Sequence, residues 1–172
     1  MKRILVIGCP GAGKSTFARG LRDRIGLPLC YLDRIWHKPD GTSLSHADFD
    51  ARLSEILCRD CWIIDGNYSR TMEMRLAKCD TVIYLDFNRW ACLRGMCQRV
   101  FGNYGKVRPD MAQGCPERFD PAFVKWIWNY NKNNRVRTYM YLAQAKHAKT
   151  IVLKNRKEVK AFLRNLGDTL PD

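Results

Sequence analysis

Arg3-Ile4-Leu5-Val6-Ile7-Gly8-Cys9-Pro10-Gly11-Ala12-Gly13-Lys14-Ser15-Thr16 is the stretch that decides the fold. Arg3 to Ile7 is apolar and partly β-branched, which reads as a short buried strand. Gly8 to Ser15 then fits G-x-x-x-x-G-K-[ST] at every required position. Ser15 to Ile25 carries Phe17, Leu21 and Ile25 at helical spacing. Strand, glycine loop, helix is the setting in which such a loop receives phosphate. The glycines let backbone N–H groups turn inward, and the helix presents its positive end to the same anion. Lys14 is then expected to reach the outer phosphates and the Ser15 hydroxyl to hold Mg²⁺. The residues expected at the nucleotide phosphates are Gly8, Pro10, Gly11, Ala12, Gly13, Lys14, Ser15 and Thr16.

The chain has 172 residues, enough for the core of one domain, 1–172, with a small insert. Its net charge of +13 is lopsided: residues 1–86 hold 13 basic and 11 acidic side chains, and residues 87–172 hold 17 and 6. A surplus of that kind suits a polyanion, either nucleotide phosphates or nucleic acid. The eight cysteines do not form a metal pattern, since Cys58-x-x-Cys61 is a lone pair without a second pair or a histidine at finger spacing. Ile4 to Ile7 is too short for the apolar core of a signal peptide, and a cytoplasmic protein with free thiols is the expectation. No apolar run approaches the roughly 18 residues of a membrane span.

Further along, Leu27 to Leu32 reads as a second strand ending at Asp33, and Arg34 to Ser43 as irregular chain. Ser45 with Asp48 forms a capping-box-like start for a helix whose apolar face is Phe49, Leu53, Ile56 and Leu57. Trp62 to Ile64 is a third strand ending at Asp65, Thr71 to Ala77 a short helix, and Thr81 to Leu85 a fourth strand closing on Asp86. Three strands thus finish on an aspartate, at the end where open α/β sheets bind ligands. Asn88 caps a helix through Val100. Gly102 to Asp120 breaks the pattern with three glycines and two prolines, which marks a lid or a disordered segment. Asp120-Pro121 starts a long helix toward His147, Thr150 to Leu153 is the fifth strand, and Asn155 with Glu158 caps a last helix stopped by Gly167. Strands alternating with helices imply a parallel sheet covered on both faces, an α/β fold.

Phosphoryl transfer is mostly positioning and charge neutralisation. Asp65, at the end of an apolar strand, is the first candidate to orient Mg²⁺, with Asp33 a competitor. Arg94, Arg99, Arg108, Arg118, Arg135 and Arg137 flank or lie in the glycine-rich stretch, and a lid bringing two or three of them over a phosphate would account for the lopsided charge. Arg135 and Arg137 lie roughly 160° apart around a helix axis and do not suit one site together. The acceptor belongs in segment 34–60, between the second and third strands. There Asp33 can take a proton from an acceptor hydroxyl, Trp36 can stack on a ring, and Arg52 or Arg70 can receive an acceptor phosphate. The three histidines are unclustered and carry no assignment.

Gly8-x-Pro10-Gly11-Ala12-Gly13-Lys14-Ser15-Thr16, Leu32-Asp33-x-x-Trp36, Trp62-Ile63-Ile64-Asp65-Gly66-Asn67-Tyr68, Asp80 to Asp86 and Trp126-x-Trp128-x-Tyr130 together resemble the bacterial DNA topology modulation proteins. These fall within the adenylate-kinase-like P-loop superfamily. The resemblance spans roughly residues 3–165. It implies a three-layer P-loop NTPase fold with a five-stranded parallel sheet of order 2-3-1-4-5, a lid at about 100–120, and ATP as donor. Asp65-Gly66 followed by Arg70 is similar to the adenylate kinase segment whose arginine meets the acceptor phosphate, with the arginine one residue later here. Arg94 and Arg99 fall roughly where those kinases keep nucleotide-contacting arginines.

The expectation is an ATP- and Mg²⁺-dependent phosphotransferase for a small hydroxyl or phosphate acceptor. Its catalytic candidates are Lys14, Asp33, Arg94, Arg99 and Arg135. Asp33, Trp36, Asn67 and Arg70 are candidates for the acceptor, and Ser15 and Asp65 for the metal. The alternative is a nucleotide-regulated protein that binds nucleic acid nonspecifically, drawn from the basic second half and the interleaved Lys125, Trp126, Trp128, Lys132, Arg135 and Arg137.

Overall fold

A computed structural model describes residues 1–167. Five parallel strands form one sheet in the order β2-β3-β1-β4-β5, with β1 at Arg3–Gly8, β2 at Leu29–Tyr31, β3 at Trp62–Asp65, β4 at Thr81–Leu85 and β5 at Lys149–Leu153. The central strand β1 pairs with β3 through Ile4↔Ile63 and with β4 through Ile4↔Thr81, so Gly8 ends beside Leu85.

The uniform apolarity of β1 follows from burial on both faces, as parallel sheets require. Ile4 and Val6 join one core with α1 (Lys14–Ile25), α5 (Arg89–Asn103), α6 (Pro121–Asn133) and α8 (Arg156–Gly167). Leu5 and Ile7 join the other, with α2 (Leu32–Trp36), α3 (His46–Leu57), α4 (Met72–Leu76) and α7 (Arg135–Gln144). Buried Phe49, Leu53 and Leu57 hold α3 to its face. At about 1.5–3 kcal/mol each, they matter more than intrinsic propensity for a helix this short.

The expected caps form. Ser45 Oγ accepts from the Asp48 N–H at 3.1 Å, Asn88 Oδ1 from Ala91 at 2.9 Å, and Asp120 Oδ1 from Ala122 at 2.8 Å. Asn155 Oδ1 accepts from Glu158 at 3.0 Å, and Glu158 answers by accepting from the Lys154 N–H at 2.7 Å. The chain beyond Gly167, where the last helix was expected to stop, lies outside the described residues.

Three elements differ from expectation. The strand expected over 27–32 is only Leu29–Tyr31, because Leu32 turns into the core as the first residue of α2, so that Arg34 to Trp36 are helical where irregular chain was expected. Helix α5 runs past Val100 to Asn103. The long helix expected from Pro121 toward His147 is interrupted at Asn134, which ends α6 and precedes α7 with a φ of −111°. The reason is the layering: Ile127 and Tyr130 of α6 belong to one core, whereas Leu142 of α7 belongs to the other. A straight helix cannot serve both faces of a sheet, so the chain turns at Asn134, where Arg135 meets Asp86 just past the end of β4.

Candidate functional site

The glycine loop joins β1 to α1, and its turn is closed by the Ala12 N–H donating to the Cys9 carbonyl at 3.1 Å. Gly11 and Gly13 have φ of +82° and +91°, which a side chain would oppose. Gly13 is the N-cap of α1 and offers no side-chain cap to the first-turn N–H groups. Lys14 Nζ lies 3.4 Å from the Cys9 carbonyl oxygen, folded back over the loop.

Asn67 fixes the loop's entry. Its amide accepts from the Gly8 N–H at 3.0 Å and donates to the Gly8 carbonyl at 2.8 Å, which takes both backbone groups at the end of β1. Asp65, at the end of β3, is buried, and its Oδ1 has no hydrogen-bond partner. Burial pushes its carboxyl up to about 6 from the usual 3.8, against the opposing pull of the Lys14 ammonium and the Ser15 hydroxyl. A buried carboxylate oxygen without a donor is costly unless a cation or water meets it.

Loop 66–71 is held from beneath by Arg75 of α4, whose side chain is fully buried. Its guanidinium donates to the carbonyls of Gly66 at 2.8 Å, Tyr68 at 2.8 Å and Thr71 at 3.3 Å, and also to that of Asn67. Burial lowers its pKa to about 10. Within this stapled loop Tyr68 takes a φ of +30°, rare for a residue with a side chain, and its hydroxyl donates to Asp33 Oδ1 at 2.8 Å. Asp33 is thereby fixed at the mouth of the site.

Pro10 to Thr16, Asp33, Asp65, Asn67 and Tyr68 line one cleft of about 1120 Å³. Segment 104–120 crosses it from the end of α5. A buried ion cluster holds it: Glu117 meets Arg99 at 2.9 Å and Arg108 at 2.6 Å, while Asp110 meets Arg108 at 2.6 Å and Arg19 at 3.8 Å. Its tip reaches the opposite rim, where a Cβ on Gly114 would stand 1.8 Å from the Pro39 carbonyl oxygen.

The structure brings Pro10 to Thr16, Asp33, Asp65, Asn67 and Arg99 to the cleft. Gly8 is buried behind it, on the Asn67 amide. Of the other arginines considered, Arg108, Arg118 and Arg137 also line the cleft, whereas Arg52, Arg70, Arg94 and Arg135, and Trp36, do not. Arg94 is solvent-exposed on α5. Arg70 is drawn into a two-pronged pair with Asp50, at 2.6 and 2.8 Å, on the outer surface. Trp36 stacks on His46 and packs edge-on to Phe49, supporting Tyr68 from behind. Arg135 is taken by Asp86, donating to it at 2.7, 2.9 and 3.1 Å, while Arg137 on the other side of α7 lines the cleft. The 160° separation of the two arginines is realised in that division.

Sequence reading missed Arg75, Tyr68 and the pair Asp110 and Glu117. Nothing local marks an arginine that will be buried under a loop, or a tyrosine that will hold a distant aspartate. Among the described residues no group of three or more His, Cys, Asp or Glu could hold a metal, and no helix is long and apolar enough to cross a membrane. All eight cysteines are free. No known family profile and no curated protein matches the chain.

Proposed function

We propose that this protein is an ATP- and Mg²⁺-dependent phosphotransferase acting on a small acceptor in the cleft. The observation that carries the reading is Asp65 Oδ1, a buried carboxylate oxygen with no donor, beside Ser15 and Lys14 at the open N-terminus of α1. Such a donor set fits Mg²⁺, which takes one or two protein oxygens and completes its shell with water and phosphate. Ser15 and Asp65 would hold the ion, and it would supply charge neutralisation to the donor phosphates. The loop N–H groups and Lys14 bind and orient the triphosphate. Arg99 and Arg108 sit over the cleft, tethered to Glu117 and Asp110, and can exchange a carboxylate for a phosphate oxygen. Asn67 keeps the loop in register and Tyr68 keeps Asp33 pointed at the acceptor.

Calorimetric titration of the whole chain with Mg·ATP tests this, with Lys14→Ala as control. Saturable uptake, weakened tenfold or more in the variant, is the expected result. No uptake, or uptake indifferent to Lys14, overturns it.

A second reading, nonspecific binding of nucleic acid, is favoured by one observation. Trp90 and Trp128 are exposed and meet edge-on, with the Arg89 guanidinium 4.9 Å from the Trp128 ring. Exposed rings beside cations are what single strands stack upon. Affinity for an oligonucleotide that falls steeply with salt and drops on Trp90→Ala supports it. Affinity insensitive to both rejects it.

A further inference from the structure

Resting on the phosphotransferase reading, we infer that the group receiving the phosphoryl is a hydroxyl rather than a phosphate, and that Asp33 takes its proton. An acceptor phosphate brings about two negative charges to the site, and recognition of such a group is ordinarily the work of paired guanidinium donors. The wall where an acceptor meets the outer phosphates is built from α2, loop 66–71 and α4. It carries arginines, but none of them is offered to the cleft.

Arg70 is committed to Asp50 on the outer surface. Arg75 is committed to four backbone carbonyls beneath the loop. Arg34 and Arg52 are exposed and do not line the cleft. What this wall does present is a carboxylate, that of Asp33. Other arginines that line the cleft come from elsewhere: Arg19 of α1, Arg99 of α5 and Arg108 are tied to Asp110 and Glu117, Arg118 belongs to segment 104–120, and Arg137 to α7. Arg118 and Arg137 remain available to the phosphoryl group in transit.

Asp33 is arranged as an acceptor of a proton. Its Oδ1 takes the Tyr68 hydroxyl at 2.8 Å, and among the described residues no donor engages Oδ2. An alcohol O–H can occupy that oxygen, and Tyr68, fixed by the Arg75-stapled loop, sets its direction. In the transfer the acceptor oxygen bonds to the γ-phosphorus as the bond from that phosphorus to the bridging oxygen breaks. The hydroxyl proton passes to Asp33 and then to solvent. The products are the nucleoside diphosphate and a phosphate monoester.

The first test uses a probe for an acceptor-phosphate subsite of the nucleotide type. Diadenosine pentaphosphate spans a donor triphosphate and an acceptor monophosphate, so a site with both binds it far more tightly than ATP. Calorimetry of the full chain with Mg²⁺ should give the pentaphosphate an affinity within tenfold of that for ATP, unchanged by Arg70→Ala. A preference of tenfold or more overturns the inference, and its loss on Arg70→Ala or Arg137→Ala would name the phosphate-binding residue. Matched pairs in an ADP-release assay, adenosine against AMP and glycerol against glycerol 3-phosphate, add a second measure. A new phosphate ester in the product, read by phosphorus NMR, supports the inference, and a new phosphoanhydride formed on either monophosphate overturns it. Failure of Mg·ATP itself to bind overturns the phosphotransferase reading and takes this inference with it, so the two failures are separable.

Discussion

Gly11 of the loop and Gly95 of α5 meet without a side chain between them: a Cβ on Gly95 would stand 2.0 Å from the Gly11 carbonyl oxygen, and one on Gly11 would stand 2.0 Å from the Cys92 carbonyl oxygen. The obstructing atoms are backbone, so no rotamer change relieves them. In an exposed helix Gly→Ala would stabilise by about 1 kcal/mol. At Gly95 the clash decides the sign instead. Gly95→Ala is expected to destabilise by about 1–3 kcal/mol and to weaken Mg·ATP binding by tenfold or more, because the loop is levered off α5. Thermal unfolding with nucleotide titration checks both. A stabilised variant with intact affinity would show that the helix and the loop are not in contact.

Asp65 predicts a conflict between stability and binding. With a folded pKa raised to about 6 from 3.8, the native state binds the proton more readily than the unfolded chain. Stability of the free protein therefore falls as pH rises from about 4 to about 6, and the loss persists above 6. Asp65→Asn should remove that fall and stabilise the free protein at pH 7.5, by up to about 3 kcal/mol. It should also abolish the Mg²⁺-dependent part of the ATP affinity. Denaturant melts from pH 4 to pH 8 with and without Mg·ATP separate the two effects, and a variant less stable than wild type at pH 7.5 contradicts the assignment.

Arg75 predicts an effect on turnover from a residue outside the cleft. Arg75→Met strands four carbonyls now satisfied by one guanidinium, at a cost of about 2–4 kcal/mol. Arg75→Lys keeps the charge but not the planar fork, so it should recover part of the stability without restoring the direction of Tyr68 and Asp33. The expected signature in Arg75→Lys is a fall in kcat larger than the rise in KM for ATP. Equal recovery of stability and kcat would make the arginine a structural prop alone.

The layered fold was legible because its signals are local. The β1 run, the capping residues Ser45, Asn88, Asp120 and Asn155, and the Gly8 to Ser15 spacing each act within a few residues of where they are read. What escaped was decided at long range. The break at Asn134 exists because α6 and α7 belong to opposite faces, and no residue near it announces a change of face. Arg70 was a reasonable phosphate ligand until Asp50, 20 residues away in the chain, claimed it. Gly95 was the exception: a glycine inside a helix pattern costs about 1 kcal/mol against alanine, so a packing reason is to be looked for, and it could have pointed to the loop packing on α5.

Arg135 and Arg137 give the last prediction, since α7 sends one to structure and the other to the cleft. Burial alone would push the Asp86 carboxyl up, but hydrogen bonds from Arg135, Tyr139 and Tyr84 outweigh it and hold it below 3.8. A depressed carboxylate contributes stability above its unfolded pKa and loses it as pH falls through the folded value. Arg135→Met leaves that buried charge to Tyr139, which donates at 2.8 Å, and to Tyr84. The half-exposed arginine makes the cost about 1–3 kcal/mol at pH 7 rather than the larger loss of a fully buried pair. The deficit should shrink once the pH is taken well below 3.8, where Asp86 is protonated in both proteins. Arg137→Met should do the reverse, leaving the melting temperature within a degree or two while lowering phosphoryl transfer tenfold or more. Paired melts at pH 7 and pH 3, run beside an ADP-release assay, decide it: equal stability losses in both variants would mean that α7 holds the two arginines in the same role.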